Sequence, residues 1–493
     1  MPDRPYVFYE LTASLCATCL RKVEAKVVIQ DGCVYLHKWC PEHRFQKVLI
    51  STDAEYYKQC RQTLKPGQMP LRFNTPIRHG CPYDCGLCPD HEQHGCLTIV
   101  EVTDQCNLTC PVCYADSSPH RPTHRSLEQV AFMLDCAVRN EGEPDVVQIS
   151  GGEPTIHPDF FAILDLAKAR PIKHLMVNTN GVRIARDPAF ARRLKDYAPR
   201  FEVYLQFDSL RRDPLLALRG ADLRDVRRRA LDRLNEHNVS TTLVVTLKKG
   251  LNDGEVGEII DFALRQPCVR GVTFQPIQAA GRNERFDPAT DRLTLGEVRQ
   301  QILRQSRVFR PEDVIPVPCH PDCLAMAYAL KYQGKVVPLT GSVDPELLLH
   351  GEGNTIMYEQ NPAIRRALFT MFTSCGCEPE PAGAAGDAAA AGFPRSLKQL
   401  LCCLPQVDVP AGVTYDNVFR LIVMQFLDPH NFDVRSVKKS CVHIVHPDGR
   451  VIPFDTYNLF YRDGLEQRLA GALAGGQVTP LRVVARSSNP NGN

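Results

Sequence analysis

Between His79 and Tyr114 the chain reads HGCPYDCGLCPDHEQHGCLTIVEVTDQCNLTCPVCY, a stretch with seven cysteines. One spacing, C-x3-C-x2-C, occurs in it twice, as Cys81/Cys85/Cys88 and as Cys106/Cys110/Cys113. Thiolates spaced this closely are suited to zinc or to iron–sulfur clusters. The second triplet directly follows the apolar run LTIVEVT (97–103), which places it on a loop at the end of a strand. Three thiolates leave one iron of a four-iron cluster without a protein ligand, and an open position is what catalysis needs. A structural zinc with a remote fourth ligand is the alternative. The first triplet precedes that strand, and Cys96 follows it closely. Four thiolates would close a cluster there, fit for passing electrons, with structural zinc as the rival. His79, His91 and His94 crowd the same loop and read as exposed polar residues.

Two further cysteine patterns flank this stretch. CATC (Cys16, Cys19) is followed by WCPEH (Cys40, His43), around a segment that reads as a hairpin turning at QDGC. Three thiolates and an imidazole suit tetrahedral zinc or a mononuclear iron, in a rubredoxin-like or zinc-ribbon-like knuckle. Cys33 on the turn could compete with His43, while Cys60 is left out of the site. Later, PCHPDC supplies Cys319 and Cys323, and Cys375, Cys377, Cys402, Cys403 and Cys441 are scattered beyond. Another auxiliary cluster could be built from these with Cys319 and Cys323 as the local pair, though Cys402 and Cys403 also read as buried thiols. Cys136 and Cys268, in apolar surroundings, read as core residues.

Positioning these groups requires a scaffold, and the pattern supplies one. Six apolar, β-branched runs begin near 97, 145, 174, 201, 240 and 270 and alternate with amphipathic segments. Such alternation predicts a parallel β/α array with its active site at the C-terminal strand ends. The segment 223–237 puts Leu223, Val226, Ala230, Leu231 and Leu234 on one helical face, with its arginine run on the solvated side. The second run ends in SGGEP, Ser150 to Pro154. Glycines there would let a ligand approach the backbone, and Glu153 adds a carboxylate suited to an ammonium. The expected division is a metal module (1–70), an auxiliary iron–sulfur segment (71–96), a core array (97–310) and a C-terminal cluster region (311–377). An Ala/Gly/Pro-rich linker (378–394), a C-terminal domain (395–480) and a tail (481–493) follow. A net charge of +2 gives no electrostatic footprint for nucleic acid. The 21 cysteines in a 493-residue chain with no apolar leader favour metal ligation over disulfides, and a cytoplasmic location is expected.

The cysteine triplet followed by GGEP resembles the radical S-adenosylmethionine (radical SAM) superfamily over about residues 97–310. The resemblance implies an α/β fold: a partial (β/α)6 TIM-like barrel, here with an N-terminal metal knuckle and a C-terminal α+β cluster-binding domain. It implies that Cys106, Cys110 and Cys113 hold a 4Fe-4S cluster whose fourth iron binds SAM, which is split to a 5′-deoxyadenosyl radical. Tyr114, Gly151, Gly152, Glu153 and Pro154 would then contact SAM, Glu153 at its amino group. Asn178, Asn180, Gln206, Asp208, Thr246 and Gln275 are candidates for its ribose or adenine, or local caps. The metal set expected around it is Cys81, Cys85, Cys88 and Cys96; Cys16, Cys19, Cys40 and His43; and Cys319, Cys323 and Cys441. Across nearly the whole chain the arrangement is similar to the tetraether lipid synthase group, some members of which carry a pterin methyltransferase label. That branch implies auxiliary 4Fe-4S clusters, a mononuclear iron or zinc, and coupling of unactivated lipid carbons. Methylation of a pterin or other small molecule is the alternative, and a non-catalytic electron carrier the third. A flavodoxin- or ferredoxin-like donor and membrane-surface contact for substrate are the expected partners. Asp455 stands in PFDTYN where relatives are expected to carry a cysteine, which puts the last cluster in doubt.

Overall fold

The computed structural model describes residues 4–63, 67–332, 335–342, 417–462 and 465–474. Cys375, Cys377, Cys402, Cys403, the linker and the tail lie outside them.

The N-terminal module is a four-stranded antiparallel sheet, β1 (Val7–Leu15), β2 (Lys22–Gln30), β3 (Cys33–Cys40) and β4 (Arg44–Ser51), in sequential order. Its central hairpin turns at Asp31–Gly32, both at positive φ, as QDGC predicts. The helix Ala54–Gln62 follows, capped by Asp53.

The six apolar runs become β5 (Leu97–Thr103), β6 (Val146–Gly151), β7 (His174–Thr179), β8 (Phe201–Gln206), β9 (Thr241–Leu247) and β10 (Val269–Pro276). They pair in parallel with their sequence neighbours. Side chains on one face, such as Val100, Val147, Val177, Val203 and Val245, pack with the helices in one core. Those on the other, such as Ile99, Val146, Met176, Tyr204 and Val244, pack with Phe432, Phe454 and Phe460 of the C-terminal segment. Burial on both faces is why these strands read as continuous apolar runs rather than alternating ones.

The C-terminal residues do not stand apart as a separate sheet. β11 (Ile315–Pro316), β12 (Leu324–Tyr332), β13 (Lys335–Pro338), β14 (Val418–Met424), β15 (Val442–Val445) and β16 (Val451–Pro453) extend the same twelve-stranded sheet. β14 pairs in parallel with β10 at one edge, and β15 in parallel with β5 at the other. The sheet is strongly concave. Arg420 on β14 meets Glu202 on β8 at 2.5 Å, although three strand spacings would hold them roughly 14 Å apart in a flat sheet. The segment from β14 to β15 therefore spans the hollow and covers the strand ends.

Candidate active site and metal centres

The loop of Cys106, Cys110 and Cys113 leaves the end of β5 and borders a cavity together with Tyr114, Gly151, Gly152, Glu153, Asn178, Asn180, Gln206, Thr246 and Gln275. Residues from six consecutive strand ends thus meet, as a parallel array predicts. Burial pushes the Cys106 thiol up to about 12, so it is a thiol until something cationic replaces the proton. Leu108 N–H donates to Cys106 Sγ at 3.4 Å. The loop is clamped from beyond β10: Arg282 pairs with Cys113 through both backbone groups and donates from Nε to the Cys110 carbonyl at 2.6 Å. Nothing in the cysteine or glycine motifs pointed to Arg282.

The glycines of the GGE turn serve the protein as well as any ligand. A Cβ on Gly151 would stand 2.2 Å from the Thr103 carbonyl oxygen, and one on Gly152 2.1 Å from that of Gln105. The turn lies directly against the cysteine loop, with Gly152 N–H on Thr103 O (2.7 Å) and Glu153 N–H on Gln105 O (2.9 Å). Glu153 is fully buried, and its carboxylate accepts from Thr155 N (3.1 Å), Thr155 Oγ1 (2.5 Å), Thr179 Oγ1 (2.7 Å) and Asn180 N (2.7 Å). It braces β6 to β7 as well as facing the cavity. Pro154 opens a buried short 3-10 turn and does not line the cavity.

Along the strand ends the polar side chains form one belt. Tyr114 Oη lies 3.5 Å from Ser150 Oγ, Asn178 Nδ2 donates to Ser150 Oγ (3.1 Å), and Gln206 Nε2 donates to Asn178 Oδ1 (2.8 Å). Gln275 Nε2 reaches Tyr204 Oη at 3.1 Å. Asp208 departs from expectation. It turns away from the cavity and is held by Arg219 at 2.6 and 2.7 Å and by Thr246 N–H. Burial would raise its carboxyl, but the Arg219 and Arg227 charges override this and hold it below the usual range. Arg227 is the exception to the solvated arginine run: it is 2% exposed and lines the cavity. The signal was present, because position 227 falls four residues from both Leu223 and Leu231 on the buried stripe of helix Arg224–Glu236.

Elsewhere the cysteines regroup. Cys16, Cys19, Cys40 and His43 converge, with Cys16–His43 and Cys40–His43 at 3.6 Å and Cys19–Cys40 at 3.8 Å. These are edges of a tetrahedron around one ion with bonds of about 2.0–2.3 Å. Cys33 stands at the far end of β3 and takes no part. Cys96 is not beside the first triplet. It joins Cys319 and Cys441, the latter pair 3.8 Å apart, with all three thiols within 4.8 Å of one another. The reason is strand pairing: Leu97 on β5 registers with Val442 on β15, and Leu97 N–H donates to the Cys441 carbonyl. Cys323 is not in this tight group either; it is buried, feels the charges of Asp455, Asp322, Asp433 and Cys441, and borders a smaller cavity beside Tyr56 and Arg61. Asp455 is buried, accepts from Leu427 N–H at 2.6 Å, and is pushed up by burial to about 7.

The first triplet keeps together without Cys96. The Cys81 and Cys85 thiols are close enough to shift each other's ionisation, that of Cys81 down and that of Cys85 up, and Cys88 adds to the rise at Cys85. Cys96, expected to be their fourth thiol, groups with Cys319 and Cys441 instead. His79 is exposed as expected, but His91 and His94 are not free loop residues. Buried His91 bonds the Ser440 carbonyl and His443, both at 3.0 Å. His94 Nε2 lies 3.5 Å from Cys96 Sγ, with its other nitrogen 3.1 Å from Glu141.

Residues 100–263 match the radical SAM superfamily, and residues 8–52 match the HMPTM N-terminal zinc ribbon domain. Over 93% of its length the chain is 29% identical to a Methanocaldococcus jannaschii protein named 7,8-dihydro-6-hydroxymethylpterin dimethyltransferase, covering 95% of that protein. It is 29% identical to the mycofactocin maturase MftC of Mycolicibacterium smegmatis over 36% of this chain and 44% of that one. SuiB of Streptococcus suis bound to S-adenosylmethionine overlaps 42% of this chain and 46% of its own, with 16% identity and a TM-score of 0.36. Among the described residues no helix is long and apolar enough to cross a membrane. With three cysteines on the first strand-end loop and a GGE turn packed against them, residues 100–263 are a radical SAM domain, and residues 8–52 resemble the HMPTM zinc ribbon.

Proposed function

We propose that this chain is a radical SAM methyltransferase acting on a pterin or a similar flat, hydrogen-bonding heterocycle. The observation that carries this reading is the amide belt. Asn178, Gln206, Gln275 and Gln278 line the cavity together with the aromatic rings of Tyr114 and Phe426. Amides offer paired donors and acceptors to a ring edge, and aromatic faces accept a stacked ring. Coupling of lipid carbons would call for a long apolar channel instead. The end-to-end relative named as a pterin dimethyltransferase supports the same choice.

In this proposal Cys106, Cys110 and Cys113 hold the catalytic cluster, and Gly151, Gly152 and Glu153 the methionyl end of SAM. The thiols border one cavity with the turn, which fits both groups. Bound there, cluster and SAM supply a carbon radical able to abstract hydrogen. The chain's residues orient the substrate ring through the belt and keep water out through Phe426 and Phe454, which stack on each other at 4.0 Å, with Phe454 tilted against Tyr114 at 5.0 Å. Cys16, Cys19, Cys40 and His43 would hold one zinc or iron. Cys81/Cys85/Cys88 and Cys96/Cys319/Cys441 would hold auxiliary iron–sulfur centres fed by a flavodoxin- or ferredoxin-like donor.

The test is anaerobic incubation of reconstituted protein with SAM, dithionite and either a reduced pterin or a long-chain lipid. Reduced pterin should bind, and should raise 5′-deoxyadenosine release; Gln275→Ala should weaken that binding. Release stimulated by the lipid and not by the pterin would overturn the proposal.

A further inference from the structure

The helix Arg212–Arg219 ends on the catalytic cysteine loop. Val112 N–H donates to the Leu218 carbonyl at 3.3 Å, and Gly220, at φ +75°, packs on Thr109 and Pro111. This seats Arg219 beside Cys110, in the same cavity wall, where its positive charge favours the thiolate against the effect of burial. The rest of the fork is taken by Asp208, by Gln206 Oε1 at 3.0 Å and by Thr246 Oγ1 at 2.9 Å.

Arg227 lies on the other side of Asp208, at 3.8 Å. It donates to the Asn180 carbonyl, and Asn180 Nδ2 in turn reaches Asn107 Oδ1 (2.6 Å) and Cys106 Sγ (4.0 Å). Among the described residues, Arg227 Nε and Nη2 have no hydrogen-bond partner. A buried guanidinium with unused N–H groups is costly unless an anion stands near. One carboxylate, Asp208, sits between the two guanidiniums and is shared by them. Glu153, the other carboxylate that acts on Arg227, accepts its hydrogen bonds from Thr155, Thr179 and Asn180. Thiolates on the loop would give the two guanidiniums further negative charge to face.

We propose that Arg219 and Arg227 are positioning residues for the iron centre of the Cys106/Cys110/Cys113 loop: their charge, directed at Cys110 and the Asn180–Cys106 side, makes that centre easier to reduce. The potential of an iron–sulfur centre follows net charge and hydrogen bonds to its sulfurs. In a water-poor site a fixed cation acts more strongly than in solvent. The inference rests on the reading that this loop holds a SAM-binding cluster.

The experiment is an EPR-monitored redox titration of full-length, anaerobically reconstituted protein, following the signal that changes when SAM is added. Arg219→Gln should shift its midpoint to a lower potential with iron content retained. Arg227→Gln should shift it the same way by less. Arg219→Lys, which keeps the charge, should recover most of the loss. Arg227→Gln leaves the Asp208–Arg219 pair intact and carries the test should Arg219→Gln not load iron. Wild-type midpoints in both glutamine variants would overturn the assignment, as would an Arg219→Lys shift equal to that of Arg219→Gln. A wild-type protein without any SAM-sensitive signal would overturn the reading of the loop itself, and the arginine role with it.

Discussion

The loop of Cys106, Cys110 and Cys113 opens onto a cavity framed by amides and arginines, whereas the loop of Cys81, Cys85 and Cys88 packs under Phe460 and Tyr461, with its own Tyr83 against Phe460. The spacing is the same, and the fourth thiol expected to set the copies apart, Cys96, belongs to neither. What separates them is therefore their surroundings. One copy ends a strand whose neighbours all contribute polar side chains. The other precedes that strand and is buried under the C-terminal segment, with the Tyr461 hydroxyl accepting from Cys85 N–H at 3.1 Å.

The most severe way to break this comparison is to remove a thiol from each copy in turn. Cys106→Ala should abolish SAM cleavage, a loss of at least the ~10³-fold typical of removing a group the chemistry cannot replace. Cys81→Ala should leave the SAM-induced EPR change in place. Loss of that change on altering Cys81 would mean that the roles are reversed or shared. Gly152→Ala comes next. Its Cβ would collide with the Gln105 carbonyl at 2.1 Å, backbone that cannot yield without moving the cysteine loop. The SAM-sensitive signal should be nearly lost, while iron bound by the other cysteines persists in the metal analysis.

Some of this difference was legible in the residues alone. The six strands were visible because burial on both faces makes each a compact apolar run, and the triplet after LTIVEVT was correctly read as a strand-end loop. The regrouping of Cys96 was not visible. It depends on β15 pairing in parallel beside β5, a contact between segments far apart in the chain that no local spacing encodes. Cys323 stands outside the tight group for the converse reason: closeness to Cys319 in sequence does not fix which way each thiol turns at the start of β12. Arg227 was assigned to solvent by its company in an arginine run, although its position on the Leu223–Leu231 stripe pointed inward.

The two copies are joined by consecutive residues. Tyr461 touches the first, and Arg462 serves the second, with its two terminal guanidinium nitrogens on Glu101 of β5 at 2.9 Å and its central carbon 5.5 Å from the centre of the Tyr114 ring. Removing one partner of a buried, hydrogen-bonded ion pair typically costs about 3–5 kcal/mol. Arg462→Ala should accordingly lower the denaturation midpoint sharply and disturb Tyr114 beside the cavity. A midpoint close to that of wild type would show that the pair is not what fastens the C-terminal segment to β5.

Tyr461→Phe is the gentler probe and the more discriminating one. It keeps the ring in the core between Phe460 and the Cys85 loop, and deletes only the oxygen that accepts from Cys85 N–H and donates to the Tyr83 carbonyl. Leaving buried backbone groups without a partner costs about 1–3 kcal/mol, less than breaking the Arg462–Glu101 pair. Because the hydroxyl reaches only the first copy, the change should alter the electronic signature of an auxiliary centre and spare the SAM-sensitive one. If the SAM-sensitive signal moved as well, the turn Tyr457–Tyr461 would couple the two loops, and the copies would be halves of one electron path rather than neighbours that share a spacing.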